Sequence, residues 1–374
     1  RGEGRVTRIA VTGARGFIGQ NLVEAIEQTE GLQAHPIGRE TSSEGRDRAL
    51  ATSDVVVHLA GANRPEDPAE FMAVNRDMTA DLVDRLLARD APPALLFTSS
   101  TKAEEDSAYG RSKRAAEAEL ARYGEAGGSG LVYRLPNVFG KWARPDYNSA
   151  VATFCHNTAR DQAIEVHDPD ARLDLVHVGD VVHEFLLRFE AGVPPGVAKA
   201  SVSPVFSTTV GWVAETIRGF SDIARTQRIP DLSDRLVQLL HSTWLAYLPP
   251  ERRVYSLTER TDPRGRLAEL LKSDHAGQMF VSTTRPGVVR GNHGHRVKVE
   301  KFMVLQGEGV IRIRDRRADD VQEIAVSGAS WSVVDIPPGT VHNIENTGPD
   351  ELLVLFWASE IFDPEAPDTW SGRV

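Results

Sequence analysis

From Arg8 to about Val182, short apolar runs alternate with longer stretches of helical periodicity. "RIAV" (8–11), "DVVVHLAG" (54–61), "ALLFTSS" (94–100) and "GLVYRLPNVFG" (130–140) read as strands buried on both faces, because their apolar residues continue without alternation. The segment after Gly19 and those following the next two runs carry helical spacing. Strands and helices in alternation predict an α/β architecture with a doubly wound parallel sheet. After "PVFSTTVGWVAETI" (204–217) a helical, mixed-charge stretch runs to about Leu245.

At "YLPPERRV" (247–254) the pattern changes from period 3.6 to period 2. "MFVSTT", "KFMVLQG", "GVIRIRD", "VQEIAV", "WSVVDIPPG" and "LLVLFWA" are short strands separated by Gly, Pro, Asp and Asn turns. They predict an all-β barrel or jelly roll. The boundary falls near residue 248, giving domains 1–247 and 248–374, and no long repeat interrupts either.

Composition adds exclusions. At 41% hydrophobic and 26% charged the chain is an ordinary globular one, and no apolar run approaches the ~18 residues of a membrane span. A net charge of -10 argues against nucleic-acid or anionic-membrane partners. The single cysteine, Cys155, excludes an internal disulfide, and with no signal-like start the expected location is the cytoplasm.

The chemistry begins at "TGARGFIG" (12–19). Gly13 permits a tight turn, Gly16 lets the backbone approach a pyrophosphate, and Gly19 brings helix and strand together; Phe17 and Ile18 complete the cofactor loop. Arg39, in "GRE" after the second strand, stands where an NAD-preferring site usually carries an acid, so NADPH is the expected cofactor. In "FTSSTKAEEDSAYGRSKRAAE", Tyr109 and Lys113 are four apart and share one helix face. The lysine's charge can depress the phenol's pKa from ~10, and Ser100 at the strand end can hold the reacting oxygen.

Residues 8–182 thereby resemble an extended short-chain dehydrogenase/reductase, a Rossmann-like group that includes nucleotide-sugar epimerases, dehydratases and ketoreductases; "HLAGANRP" (58–65), Asn75 and "RLPNVFG" (134–140) extend the resemblance. It implies Tyr109 as acid/base, Lys113 as its partner on the nicotinamide ribose and Ser100 as oxygen clamp, with Ala60, Gly61 and Asn75 at the cofactor. In one departure, Arg39 and Asp54 are only 15 positions apart, leaving little room for the usual third strand and helix.

"GNHGHRVKVE" puts His293 and His295 on the same side of a strand, with Glu300 following, and "PPGTVHNIEN" adds His342 on another. Three imidazoles and a carboxylate suit one divalent ion such as Zn, Fe, Ni or Mn; zinc is the first expectation. The spacing His-x-His-(x)4-Glu-(x)6-Gly, then Pro-x-Gly-x-x-His-(x)3-Asn, matches the two cupin motifs, so the second domain is expected to be a metal-binding cupin jelly roll. The resemblance implies a larger aromatic residue where Gly294 stands, and Lys298 and Lys301 read as solvated strand lysines.

A reductase followed by a cupin resembles the CapF-type capsular polysaccharide synthesis enzymes, as do "RLPNVFGKWARPDYNSAVATFCHN" (134–157) and "DPRGRLAELLKS" (262–273). The resemblance implies a bifunctional enzyme acting on a UDP-linked 4-keto-6-deoxy amino sugar: the cupin epimerises C3, and the reductase then reduces the C4 ketone with NADPH. Asn137 and Arg144, on the loop after a strand end, are candidates for the sugar and pyrophosphate. One alternative is a monofunctional ketoreductase whose cupin is a metal-stabilised dimerisation module; another is an iron-dependent oxygenase or a sensor fused to a reductase. Pairing through cupin strands makes a homodimer the expected assembly.

Overall fold

Alternate residues of the N-terminal apolar runs face opposite sides of one sheet. On β1 (Thr7–Thr12), Ile9 and Val11 pack with Leu22, Ile26 and Phe185, whereas Ala10 joins Val56, Leu86 and Phe97 on the other face. Helices cover both sides, which is why these strands read as unbroken apolar runs. The computed structural model describes residues 6–316 and 318–374. They form two compact units, one running to Ile217 and including Leu239–Leu248, the other comprising Arg218–Gln238 and Pro249–Val374.

In the first unit the strands are β1, β2 (Leu32–Ile37), β3 (Val55–His58), β4 (Ala94–Ser100), β5 (Ser129–Leu135), β6 (Asn137–Phe139), β7 (Arg172–His177), β8 (Gly196–Ala200) and β9 (Phe206–Thr209). Six of them make a parallel sheet in the order β2-β1-β3-β4-β5-β8, and β6-β7-β9 form a small second sheet. The helices that position the site are α1 (Phe17–Glu27), α2 (Ser43–Thr52), α3 (Met78–Leu87), α4 (Ala108–Glu125), α5 (Ala150–Thr158) and α6 (Val178–Ala191). α1 and α6 cover one face, α3 and α4 the other. The short interval from Arg39 to Asp54 holds α2, capped by Ser42 accepting from Gly45 N–H at 3.1 Å, but no strand. β2 is therefore the sheet edge among the described residues.

The second unit contains β10 (Glu259–Asp262), β11 (Gly265–Ser273), β12 (Gly277–Thr284), β13 (Val289–Gly294), β14 (Glu300–Gln306), β15 (Glu308–Asp315), β16 (Val321–Ser327), β17 (Val333–Ile336), β18 (Thr340–Asn346), β19 (Leu352–Ala358) and β20 (Trp370–Ser371). They build two antiparallel sheets, β10-β11-β12-β19-β14-β17 and β16-β15-β18-β13-β20. Phe302, Val354 and Phe356 from the first meet Ile311, Ile313 and Ile344 from the second in one core. The stretch "DPRGRLAELLKS" is the β10–β11 hairpin: Asp262 accepts from the Arg264 N–H at 2.8 Å, and Gly265 is required because a Cβ there would lie 2.2 Å from the Thr283 oxygen. Among the described residues no helix is long and apolar enough to cross a membrane.

Candidate active site and candidate metal centre

Every candidate in the first unit except Arg144 lies at or after the carboxyl end of a parallel strand, or on a helix packed there, where open α/β sheets place ligands. Gly13 has φ +69°, and a Cβ would stand 2.8 Å from the Ala60 nitrogen. On Gly19 it would stand 2.3 Å from the Gly13 oxygen, so only glycine lets α1 close onto the loop. Gly16 precedes α1, which starts at Phe17 and Ile18 with no side-chain cap, leaving its first N–H groups for an anion. Arg39 is exposed and makes no ion pair among the described residues. Arg15, which the sequence reading passed over, pairs with Glu40 at 2.7 Å, and both line a cavity with Gly38 and Trp142.

Tyr109 and Lys113 sit in the first turns of α4, begun by Ser107 accepting from Gly110 N–H at 3.0 Å. The two serines ending β4 divide their work: Ser99 donates to Glu117 at 2.5 Å, while Ser100 faces the Tyr109 hydroxyl. Tyr109 donates to Asn63 Oδ1 at 3.2 Å, a partner not foreseen. Its pKa is raised by burial, with Ser100 opposing, so the expected depression by Lys113 is not present in the chain alone. Lys113 is 6% exposed; its ammonium donates to the Thr98 oxygen at 3.3 Å and lies 5.9 Å from the Tyr109 ring centre. Burial lowers its pKa to about 8, with Glu117 opposing.

A buried hydrogen-bond chain ties this face to β1. Thr79 spends its hydroxyl proton on the Asn75 oxygen at 2.6 Å, so it accepts from His58 Nε2–H at 3.0 Å; His58 Nδ1 is then bare and accepts from Thr12 at 2.6 Å. Burial first, and Lys113 second, push the His58 pKa down to about 3, which keeps this tautomer neutral. Asn75 donates to the Ala62 oxygen (3.1 Å) and Ser112 (3.0 Å) and accepts from Ala62 N–H (2.8 Å), so it acts on the site by holding the loop that contains Ala60 and Gly61. A Cβ on Gly61 would stand 3.0 Å from Asn75 Oδ1 and 3.4 Å from the Lys113 ammonium. Asn137 begins β6 and donates to the Asp174 oxygen at 3.2 Å; Arg144 is exposed, 5.3 Å from the Tyr147 ring centre.

In the second unit His293 on β13 and His342 on β18 are cross-strand partners, and His295 and Glu300 complete the group. A bulge at Asn292 (φ +60°) shifts the β13–β18 register between Gly291 and His293. One ligand atom from each residue lies within 4.8 Å of all the others. Glu300 Oε2 is 3.2 Å from His295 Nε2 and 3.1 Å from His342 Nε2. His342 has no exposure; its Nδ1 is buried without a hydrogen-bond partner, and its Nε2 is turned to the Glu300 carboxylate, so the ring is aimed into the cluster. Burial lowers the His293 pKa to about 4, keeping it neutral as a ligand must be. Burial would raise that of Glu300, but His295 and His342 together hold it well below the usual carboxylate range. The donor set fits a borderline divalent ion.

Two sequence readings are revised here. Lys298 is only 5% exposed, its ammonium 5.8 Å from the Phe362 ring centre, whereas Lys301 is solvated and pairs with Asp335 at 2.5 Å. The aromatic bulk expected at Gly294 comes instead from Trp370: a Cβ on Gly294 would fall 2.5 Å from the indole. Asp368, two residues before it, accepts from His295 Nδ1 through its backbone oxygen at 2.5 Å. No local spacing announced either residue, since more than 70 positions separate them from His293 and His295.

Comparison with known proteins extends over the whole chain. Residues 9–198 match the NAD dependent epimerase/dehydratase family, and residues 260–370 match the polysaccharide biosynthesis C-terminal domain. The UDP-2-acetamido-2,6-beta-L-arabino-hexul-4-ose reductase of Pseudomonas aeruginosa is 39% identical over 98% of this chain and 99% of its own. The capsular polysaccharide assembling protein CapF from Staphylococcus aureus is 39% identical, with a TM-score of 0.89 over 98% of this chain and 100% of that one. A structure of CapF with the inhibitor 3-isopropenyl-tropolone is 35% identical, with a TM-score of 0.85 over the same shares. With a parallel-sheet unit and an antiparallel C-terminal unit both matched over their length, this chain belongs to the CapF-type branch of the NAD dependent epimerase/dehydratase family.

Proposed function

We propose that this chain is a bifunctional nucleotide-sugar enzyme in which residues 248–374, a metal-binding cupin jelly roll, epimerise C3 of a UDP-4-keto-6-deoxy-N-acetylhexosamine, and residues 1–247 then reduce the C4 ketone with NADPH. The observation that carries it is the presence on one chain of a half-buried Tyr109 with a buried Lys113 beside Ser100, and of a His293–His295–Glu300–His342 cluster in which only His293 is partly exposed. The Pseudomonas aeruginosa relative, named as a reductase of a hexul-4-ose, supports the substrate class.

The C4 ketone acidifies the C3 proton, so epimerisation needs a base and a charge opposite the enolate oxygen. A divalent ion held by the four ligands, zinc by our assignment, supplies that positive charge when bound. In the reductase, bound NADPH supplies the hydride to C4. Tyr109 gives its proton to the carbonyl oxygen, Ser100 donates a hydrogen bond to the same atom, and Lys113 holds the nicotinamide ribose and favours the tyrosinate left behind. Reduction removes the acidity of C3 and fixes the new centre.

Gly13, Gly16, Phe17, Ile18, Gly19, Ala60 and Gly61 form the cofactor cradle, with Asn75 positioning it. Arg39 and Arg15 are the groups for a ribose 2′-phosphate. Asn137 and Arg144 bind the sugar and pyrophosphate. Glu40 favours a second reading for the cofactor: a carboxylate paired with Arg15 beside β2 suits the ribose hydroxyl of NADH. For the function, the relative's name, which states only a reductase, favours a monofunctional ketoreductase with a structural metal domain. We place the enzyme in the cytoplasm as a homodimer.

The test is proton NMR of the 4-keto substrate with the purified chain in deuterated water, first without NADPH. Loss of the C3 proton signal before reductant is added supports the epimerase. Reduction of an unlabelled substrate once NADPH arrives assigns a simple ketoreductase.

A further inference from the structure

Residues 368–372 dock against β13 and the residues on either side of His295. The Asp368 backbone oxygen accepts from His295 Nδ1 at 2.5 Å. The carboxylate of the same residue accepts the three consecutive N–H groups of Arg296 (3.0 and 3.1 Å), Val297 (2.8 Å) and Lys298 (2.8 Å). Successive N–H groups turned to one point make an anion cradle, and here the chain's own carboxylate fills it. Trp370 pairs with Gly294 on β13, Gly372 donates to the Asn292 oxygen at 3.1 Å, and the Arg316 guanidinium lies 5.1 Å from the Trp370 ring centre.

An imidazole ligates through one bare nitrogen, and a fixed acceptor for the proton on the other nitrogen decides which one that is and how the ring is turned. With Nδ1–H directed at the Asp368 oxygen, His295 presents Nε2 to Glu300 and the cluster. The carboxylate locks that acceptor in place, because its bonds are to the residues that immediately follow His295.

We propose that Asp368 is a positioning residue of the metal centre, and that docking of the 368–372 segment sets metal affinity by fixing the tautomer and ring angle of His295. The proposal rests on the metal site assigned above. Since the docked segment favours the ion, the ion favours the docked segment to the same extent.

The experiment uses the full chain and the metal alone. Zn2+ affinity is measured by competition with a chromogenic chelator for the unaltered chain and for D368A, D368N, W370A and H342A, and Co2+ is used as a spectroscopic probe. D368A is expected to weaken Zn2+ binding by about 10–100-fold and shift the Co2+ visible bands, with D368N between it and the unaltered chain. Amide exchange at Val297 and Lys298 should slow on adding Zn2+. Equal affinity and unchanged Co2+ bands in D368A overturn the proposal while the metal site stands. If the unaltered chain binds Zn2+ no better than H342A, the metal-site reading itself fails. Should D368A not fold, D368N decides: weaker binding supports the proposal, and affinity equal to the unaltered chain overturns it.

Discussion

Asn75 and Ala62 are bonded to each other twice, Ala62 N–H to Asn75 Oδ1 at 2.8 Å and Asn75 Nδ2 to the Ala62 oxygen at 3.1 Å. Asn75 is 2% exposed, so an alanine there leaves buried peptide groups without partners. N75A should lower stability by about 1–3 kcal/mol and raise the KM for NADPH more than it lowers kcat. Denaturant unfolding and steady-state kinetics check both; a drop confined to kcat would contradict the positioning role.

Tyr109 carries the transferred proton in the proposed reduction. Y109F should lower kcat by about 10²–10⁴-fold with NADPH binding little changed, and stopped-flow cofactor oxidation measures the chemical step. A variant within threefold of the unaltered chain would remove Tyr109 from the mechanism.

His58 imposes an acid limit. In the folded chain it stays neutral to about pH 3, whereas an unfolded histidine takes its proton near ~6.5. Between those values the unfolded state binds more protons, so the contribution is complete above about 6.5 and is lost as pH falls toward 3. It amounts to about 5 kcal/mol at most. H58Q cannot titrate and should flatten the acid limb of the stability curve, as followed by circular dichroism from pH 7 to 4.

Arg39 and Arg15 test the cofactor. R39A should raise the KM for NADPH about 10–100-fold and leave that for NADH unchanged, consistent with losing a charge-assisted bond of ~1.5–3 kcal/mol. E40Q, which frees Arg15, should improve NADPH use. The opposite pattern in the two cofactors would assign NADH.

His342 is the fully buried ligand candidate, with its Nδ1 unpartnered and its Nε2 on the Glu300 carboxylate. H342A should lose metal on dialysis while still reducing an already epimerised 4-keto sugar; elemental analysis and a coupled NADPH assay read the two halves separately. Loss of both would link the metal to the reductase.

What was legible in the sequence was local. The glycines at 13, 16 and 19, the Tyr109–Lys113 step of one helical turn and the His293–His295 alternation are short-range patterns, and the structure brings each set together. Asn63 against Tyr109, Arg15 against Glu40 and Asp368 against His295 are 46, 25 and 73 positions apart, and tertiary folding alone pairs them. Lys298 departs from the solvated expectation because a lysine's usual solvation says nothing of its burial in the fold or of a ring such as Phe362 near its ammonium. The short Arg39–Asp54 interval announced the missing strand, yet ten residues sufficed for α2.

The missing strand leaves β2 with one side of its backbone unpaired among the described residues, a place where a second molecule could add a strand during synthesis or storage. Pro36 lies within β2, opposite Val11, and brings no N–H to the ladder. An incoming strand therefore finds an interrupted row of donors. The same shortening that trims the cofactor domain would have created an aggregation-prone edge, and one imino acid blunts it.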